Sequence, residues 1–224
     1  MISIVVPVLN EGGRLGAFLR GLEGQEGERE VIVADGGSRD GTPGAAAPPA
    51  RLVHSPPGRA RQMNAGAALA RGEVLLFLHC DTQLPPGALA LIREALRDPA
   101  CVGGGFRHRF DRGGCFSRFI SGSANTRSRL WRIFLGDQAI FVRRSVFERL
   151  GGYADLPLFE DWELCTRLKR AGGLALIRQP AVTSGRRIEA WGEWKCLRLW
   201  WGLSLLYALG VPAERLARFY GDVR

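Results

Sequence analysis

The chain has 224 residues, 46% hydrophobic and 24% charged, which is enough for one substantial domain and ordinary for a globular protein. Those figures exclude a disordered, collagen-like or multi-span membrane protein. Its 31 basic residues against 22 acidic give a net charge of +9, and all but Lys169 and Lys195 are arginines, so a negatively charged partner suits it: nucleic acid, anionic lipid or a phosphorylated small molecule.

In chain order, short β-branched runs alternate with helical pieces over the first ninety residues, the pattern of βαβ units on a mostly parallel sheet. Ile2 to Val8 reads as a buried strand, Leu15 to Leu22 as a helix with Leu15, Phe18, Leu19 and Leu22 apolar, and Glu30 to Ala34 as a second strand. Gly36 to Ala50 is so rich in Gly, Pro and Ala that the helix expected there is short or degraded. Leu52 to His54 is a third strand, Ala60 to Ala70 a helix bounded by Gly58 and Gly72, and Glu73 to Leu78 a fourth strand, apolar enough to be central. Pro85 and Pro86 open a helix in which Leu89, Ile92 and Leu96 recur at helical spacing. Further strands are expected at Gly103 to Phe110 and Gln138 to Val142, and helices at Arg144 to Leu150 and Asp161 to Arg170. Residues 101 to 149 hold ten arginines against Asp111, Asp137 and Glu148.

The five cysteines, Cys80, Cys101, Cys115, Cys165 and Cys196, are scattered without a CxxC spacing, which predicts free thiols in a reducing cytosol. No basic stretch precedes the apolar run at Ile2 to Leu9, so no signal peptide is indicated and a cytoplasmic protein is expected. Leu199 to Ala213 is uncharged over fifteen residues, short of the roughly 20 that cross a bilayer as a helix.

Three acidic sites fall just after expected strands or at a loop-to-helix junction, where an open parallel sheet binds its ligands. Asp35 closes the second strand before Gly36 and Gly37, where a carboxylate can meet a base N–H or a ribose hydroxyl, or else simply form a turn. Asp81 follows the fourth strand with His79 two residues earlier, so both lie on one side of an extended chain and can hold a divalent cation, with oxygen ligands suiting Mg2+ or Mn2+. The plainer alternative is that Asp81 caps a turn and His79 packs under the sheet. Glu160 and Asp161 stand at a helix start, favoured there by the dipole, and either can act as a general base toward a hydroxyl.

The order of the blocks SIVVPVLNE, DGGSRDGT, GRARQMNAG with LLFLHCD, GDQAIFVRRSVFERLGGY and FEDWELCTRL resembles the family 2 glycosyltransferases of the GT-A fold, over roughly residues 1 to 180. The segments Arg-Gln-Met-Asn, Gly-Asp-Gln and Thr-Ser-Gly-Arg-Arg resemble, within it, a bacterial subgroup associated with arsenosugar biosynthesis. The resemblance implies an α/β fold: a Rossmann-like mixed sheet, mostly parallel and flanked by helices, as a GT-A domain over 1–185 with a C-terminal helical extension over 186–224. It implies a nucleotide-sugar donor, with Pro7, Asn10 and Glu11 lining the nucleotide pocket and Asp35 reading uracil and ribose. Asp81 matches the second acid of the family's DxD motif, whose first acid is here His79, and Asp161 matches the base that activates the acceptor. Arg59, Arg61 and Asn64 stand in the block that precedes the DxD strand, and Arg186 or Arg187 takes the place of the family's late metal-binding histidine. A lone base without a nucleophilic carboxylate fits inversion at the anomeric carbon.

The segment Trp191 to Tyr220 carries four of the six tryptophans among leucines, which suits a helix packed on the domain, a homodimer contact, or an interfacial helix that meets anionic lipid and brings the enzyme to a lipid acceptor rather than a small molecule. Two other classes compete. A nucleotidyltransferase of similar fold needs a Gly-rich basic loop after the first strand, where Asn10-Glu11-Gly12-Gly13 stands instead. A basic nucleic-acid-binding protein needs interleaved aromatics, which are missing, so no nucleic-acid partner is expected.

Overall fold

In a computed structural model that describes residues 1–220, the apolar run Ile2–Val8 is strand β1 and every one of its residues is buried. Helix α1 (Gly12–Glu23), β2 (Arg29–Asp35), a four-residue α2 (Thr42–Ala45), β3 (Arg51–His54), α3 (Arg59–Ala68) and β4 (Val74–Phe77) follow as βαβ units. The shrunken α2 is what the Gly, Pro and Ala composition there predicts. After β4 come a short β5 (Thr82–Gln83), α4 (Ala88–Ala95), β6 (Cys101–Phe110), α5 (Cys115–Trp131), a 3-10 turn at Gly136–Gln138 and β7 (Ile140–Arg143). The chain then runs through α6 (Arg144–Arg149), α7 (Glu160–Ala171), β8 (Gly173–Thr183), α8 (Arg186–Trp191), α9 (Glu193–Ala208) and α10 (Ala213–Ala217).

The eight strands form one sheet in the order β3-β2-β1-β4-β7-β6-β8-β5. Strands β1 to β4 are parallel, β7 runs antiparallel to both β4 and β6, β6 and β8 are parallel, and β5 pairs antiparallel with β8. Two reversals bring β6 and β8 back to the direction of β1. The carboxyl ends of β1, β2, β4, β6 and β8 therefore share one edge, and the turn that enters β7 starts there too.

Both faces of the sheet are covered. Ile2, Ile4, Val6 and Val8 of β1 pack with Leu15, Leu22, Leu89 and Ile92 of α1 and α4 on one face, while Val5 packs with Ala60, Met63, Phe147 and Leu164 on the other. Burial on both faces is why β1 reads as a continuous apolar run rather than an alternating one. The sheet is pinched at β6: a Cβ on Gly104 would lie 2.1 Å from the Ala175 carbonyl oxygen and 2.8 Å from the Phe141 ring, so no larger residue fits between β7 and β8 there.

Three elements are absent from the sequence reading, the two-residue β5 among them. Helix α5 turns Ser117, Ile120, Ser121, Ala124 and Ser128 inward, and Ser121 and Ser128 are hydrogen-bonded there, so with serines in place of apolar residues its helical period is invisible to a hydrophobic count. Strand β8 carries Arg178, Gln179 and Pro180, and its pairing with β6 skips from Ile177 to Pro180 across an irregularity. Gln138, expected to open a strand, lies instead in the 3-10 turn, buried and hydrogen-bonded to Phe106 O and Ser128 Oγ.

The C-terminal segment packs back on the domain. Leu203 and Leu216 join Leu158 and Phe159 in a separate apolar cluster, Trp200 stacks on Phe110, Trp201 on Phe119, and Tyr207 lies parallel to the Phe159 ring at 4.5 Å. Phe159, immediately before α7, holds a left-handed backbone with φ 62°. No helix among the described residues is long and apolar enough to cross a membrane, and all five cysteines are free.

Candidate active site

Two adjoining cavities open on the carboxyl edge of the sheet, and Arg59, His79, Asp81, Arg187 and Tyr220 line both. The larger, of about 390 Å3, is walled by Pro7 from the end of β1, Glu11 at the entry to α1, Gln62 of α3 and Arg186 at the start of α8. Glu11 is held by its backbone N–H donating to Thr42 Oγ1 at 2.8 Å. Its carboxylate accepts from Arg186 at 2.8 Å and from Arg14 at 3.1 Å, and Arg186 lies 3.3 Å from Asp81 as well. Burial alone would push the Glu11 carboxyl up, but the two guanidiniums outweigh it and hold it below the ordinary value. Arg186 Nε is buried and without a partner. One arginine thus ties the ends of β1, β4 and β8 together and keeps a donor free.

Asp35 and Asn10 stand beside this cavity rather than in its wall. Asp35, 1% exposed, accepts the backbone N–H groups of Gly37 and Ser38 at 3.2 Å and the Ser38 hydroxyl, with His54 Nδ1 at 3.4 Å. Asn10, with φ 55°, donates its backbone N–H to Ser38 Oγ and accepts from Arg39 N–H through Oδ1. Both therefore shape the loop after β2. Arg61 is paired with Asp155 at 2.8 Å, and Asn64 clamps the Tyr153 backbone at both its N–H and its carbonyl. Neither lines a cavity. Their neighbour Gln62, which the sequence did not single out, donates its amide to Val8 O and Ala34 O and joins the ends of β1 and β2.

The smaller cavity holds about 190 Å3 and has Asp161 in its wall. Helix α7 runs back toward the start of β8, which puts its N-terminus and both carboxylates at the active edge. Their surroundings differ. Glu160, 1% exposed, is turned to Arg59, with Nε at 2.9 Å from one carboxylate oxygen and Nη2 at 3.3 Å from the other. Asp161 accepts the Gly136 N–H on one oxygen and the Trp162 N–H on the other, both at 2.7 Å, which fixes its plane and leaves lone pairs facing the cavity. Burial raises the pKa of both carboxyls above their ordinary values, against the pull of Arg59. A raised carboxylate is a better proton acceptor near neutral pH.

His79 does not pack beneath the sheet: it lies in the wall shared by the two cavities, its ring against Gly136. Burial, and then the Arg59 charge, hold its pKa below the usual value, so the ring is neutral at neutral pH and offers a lone pair to a cation. Among the described residues no group of three or more His, Cys, Asp and Glu could hold a metal. Asp81 and His79 share the wall of both cavities, and Mg2+ and Mn2+ commonly take only one or two protein ligands, with the rest from substrate phosphates and water.

The far wall of the smaller cavity holds residues that the sequence did not mark as site candidates: His108 and Phe110 of β6, Arg127 of α5, Asp137 and Trp200. Alternation in β6 was the available signal, since Phe106, His108 and Phe110 share one face of the strand and all three are buried.

The family model described as Glycosyl transferase family 2 matches residues 3–151. The chain is 36% identical over 116 residues to an uncharacterized protein of Mycobacterium tuberculosis, MT1568, covering 49% of this chain and 36% of that protein. It is 34% identical over 79 residues to a probable glycosyltransferase of Bacillus subtilis, YdaM, covering 35% of this chain and 18% of that protein. The matches therefore span about a third or less of these curated relatives. Among solved structures, a mannosyltransferase from Pyrobaculum calidifontis in complex with GDP-Man and Mn2+ superposes with a TM-score of 0.72 at 23% identity, covering 98% of this chain and 69% of that one. A glucosyl-3-phosphoglycerate synthase from Mycobacterium tuberculosis, with Mn2+, UDP and its product, gives 0.64 at 21% identity over 95% of this chain and 81% of that one. At these identities the structural likeness speaks for the fold alone, and that fold is GT-A.

Proposed function

The chain belongs to glycosyl transferase family 2, and on that premise we propose that it moves a sugar from a nucleoside diphosphate, a UDP-sugar, to an acceptor hydroxyl with inversion at the anomeric carbon. The observation that carries the proposal is the pair of cavities that meet at His79, Asp81 and Arg59, with a fixed carboxylate, Asp161, on one side only.

In this reading the nucleotide occupies the larger cavity against Pro7 and Glu11, and the sugar lies at the junction. Asp35 supports it indirectly, through the loop after β2. Asp161 takes the proton of the acceptor hydroxyl, whose oxygen bonds to the anomeric carbon as the bond to the diphosphate oxygen breaks. Charge developing on the leaving diphosphate faces Arg187 and the free Nε of Arg186. A divalent cation held by Asp81 and His79 would act as a Lewis acid on the same oxygens. Glu160 is a positioning residue, since its carboxylate is committed to Arg59. A narrower form of the same proposal, supported only by the subgroup resemblance, takes the acceptor from arsenosugar chemistry.

The test is thermal unfolding with nucleotide sugars. A UDP-sugar with Mn2+ at a hundred times its Kd should add about 2.7 kcal/mol, a shift of several degrees in Tm, and Asp81→Ala should remove the metal-dependent part. Stabilisation by short oligonucleotides and by no nucleotide sugar would turn the reading toward the basic nucleic-acid binder.

Exposed apolar side chains on α5, on α9 and at its C-terminal end, among them Trp131, Trp194, Leu205 and Leu209, support a peripheral contact with anionic lipid in addition. Co-sedimentation with phosphatidylglycerol vesicles, weakened by Trp194→Ser with Leu209→Ser, is the expected result. Sedimentation as a dimer without vesicle binding would assign the same face to a second copy.

A further inference from the structure

Three buried polar atoms of residues that line the smaller cavity have no hydrogen-bond partner among the described residues: His108 Nε2, Asp137 Oδ1 and Arg187 Nε, the last on a residue shared with the larger cavity. His108 is 2% exposed, and its Nδ1 lies 3.1 Å from Ser121 Oγ. Its Nε2 stands 3.4 Å from Asp137 Oδ2, longer than an N–H to oxygen hydrogen bond normally runs. Both residues line the cavity. Leaving such atoms unpaired is costly, and native structures rarely do so without a ligand or water to satisfy them.

One hydroxyl group completes both His108 and Asp137. It accepts from the imidazole N–H and donates to the Asp137 carboxylate. A carboxylate or phosphate in that place would meet Asp137 charge to charge. Of the three arginines in the wall, Arg59 is paired with Glu160, Arg187 donates to the Tyr220 hydroxyl, and Arg127 donates to Ile133 O and Gln138 Oε1. At that point of the wall the pair of His108 and Asp137 therefore favours a neutral polar group over an anion.

The remaining wall has different chemistry. Phe110, Ile120, Leu199, Trp200 and Leu203 form an apolar recess beside the pair, with the Phe110 and Trp200 rings stacked at 6.0 Å and 16°. The cavity volume of about 190 Å3 is below the roughly 300–1,000 Å3 of ordinary ligand pockets. The occupant is compact. Asp161 is within reach of the same molecule, because the Gly136 N–H that it accepts belongs to the residue before Asp137.

We infer that the acceptor is a neutral small amphiphile with at least two hydroxyls, one presented to Asp161 and one held by His108 and Asp137, and with a short apolar body against Phe110 and Trp200. This rests on the sugar-transfer reading for the word acceptor, but the recess can be tested without any donor.

The probes are propane-1,2-diol, hexane-1,2-diol and hexan-1-ol, titrated into the full chain labelled with 5-fluorotryptophan. The fluorine resonance of Trp200, assigned through Trp200→Phe, is the readout. Hexane-1,2-diol should shift it saturably, more tightly than propane-1,2-diol by about fourfold per buried methylene. It should also bind about tenfold more tightly than hexan-1-ol, and Asp137→Leu should erase that second difference. Ser123→Phe, which fills the recess from the half-buried outer side of α5, should abolish the shift while the variant stays folded by circular dichroism. Equal affinity for the two diols, equal affinity of wild type for the diol and the alcohol, or an unchanged shift in Ser123→Phe would each overturn the inference. Diol failure with nucleotide-sugar binding intact removes the amphiphile alone, and diol binding without nucleotide-sugar binding removes sugar transfer alone.

Discussion

Asp161→Asn should lower transfer by about 10²–10⁴-fold while leaving nucleotide-sugar affinity within about twofold of wild type. The asymmetry follows from position: Asp161 borders the smaller cavity only, so the wall of the larger one is untouched. Asparagine is close in shape but not neutral in consequence. Each carboxylate oxygen now accepts a backbone N–H, from Gly136 and from Trp162, and an amide must turn its NH2 toward one of those donors. A loss of about 1–3 kcal/mol in stability accompanies the loss of rate. In the wild type the pKa of Asp161 lies above its unfolded value because burial disfavours the charge. Transfer should therefore fall as the pH drops through that raised value, higher than an ordinary aspartate would set. The stability contribution of the same group runs the other way: it is greatest below the unfolded pKa and is lost as the pH rises through the folded one. Single-turnover transfer against pH, beside donor titration of the variant, checks both. Wild-type turnover by Asp161→Asn would remove it from the chemistry.

Arg59→Ala should be the most destabilising single change at the site. It leaves Glu160, 1% exposed, as a buried carboxylate without its partner, and breaking such a pair costs about 3–5 kcal/mol. For a chain of this size that lowers Tm by about 10 °C or more. Arg59→Met combined with Glu160→Gln removes both charges together and should recover most of the loss. Thermal unfolding of Arg59→Met, Glu160→Gln and the double variant gives the coupling directly. An Arg59→Ala protein that melts within about 2 °C of wild type would show that the two charges do not depend on each other.

The parallel half of the fold was legible because β1 and β4 are apolar on both faces and their helices carry regular leucines. Asp81 and Asp161 stood out for the same reason, each being an acid at the end of a strongly patterned element. What stayed hidden depends on contacts between distant parts of the chain. Glu11 and Arg186 are 175 residues apart, and nothing local in either marks them as partners. Asn64 and Arg61 sit in a block that implied nucleotide contact, yet their side chains are spent on Tyr153 and Asp155. His108 belongs to a strand whose glycines and arginines hide its buried alternation, and α5 fills its inner face with serines that look solvent-exposed in any hydrophobic count. Function was most readable where polar residues interrupt apolar runs, and least readable where buried polar groups replace them.

The left-handed backbone of Phe159 ties the last helices to the chemistry. A non-glycine residue in that conformation carries about 1–3 kcal/mol of strain, and it persists only where its surroundings hold it. Tyr207, stacked on the Phe159 ring, is part of that hold, and Asp161 is two residues further on. The packing of α9 on the Phe159 ring therefore bears, through one strained residue, on the backbone that sets the aim of the Asp161 carboxylate.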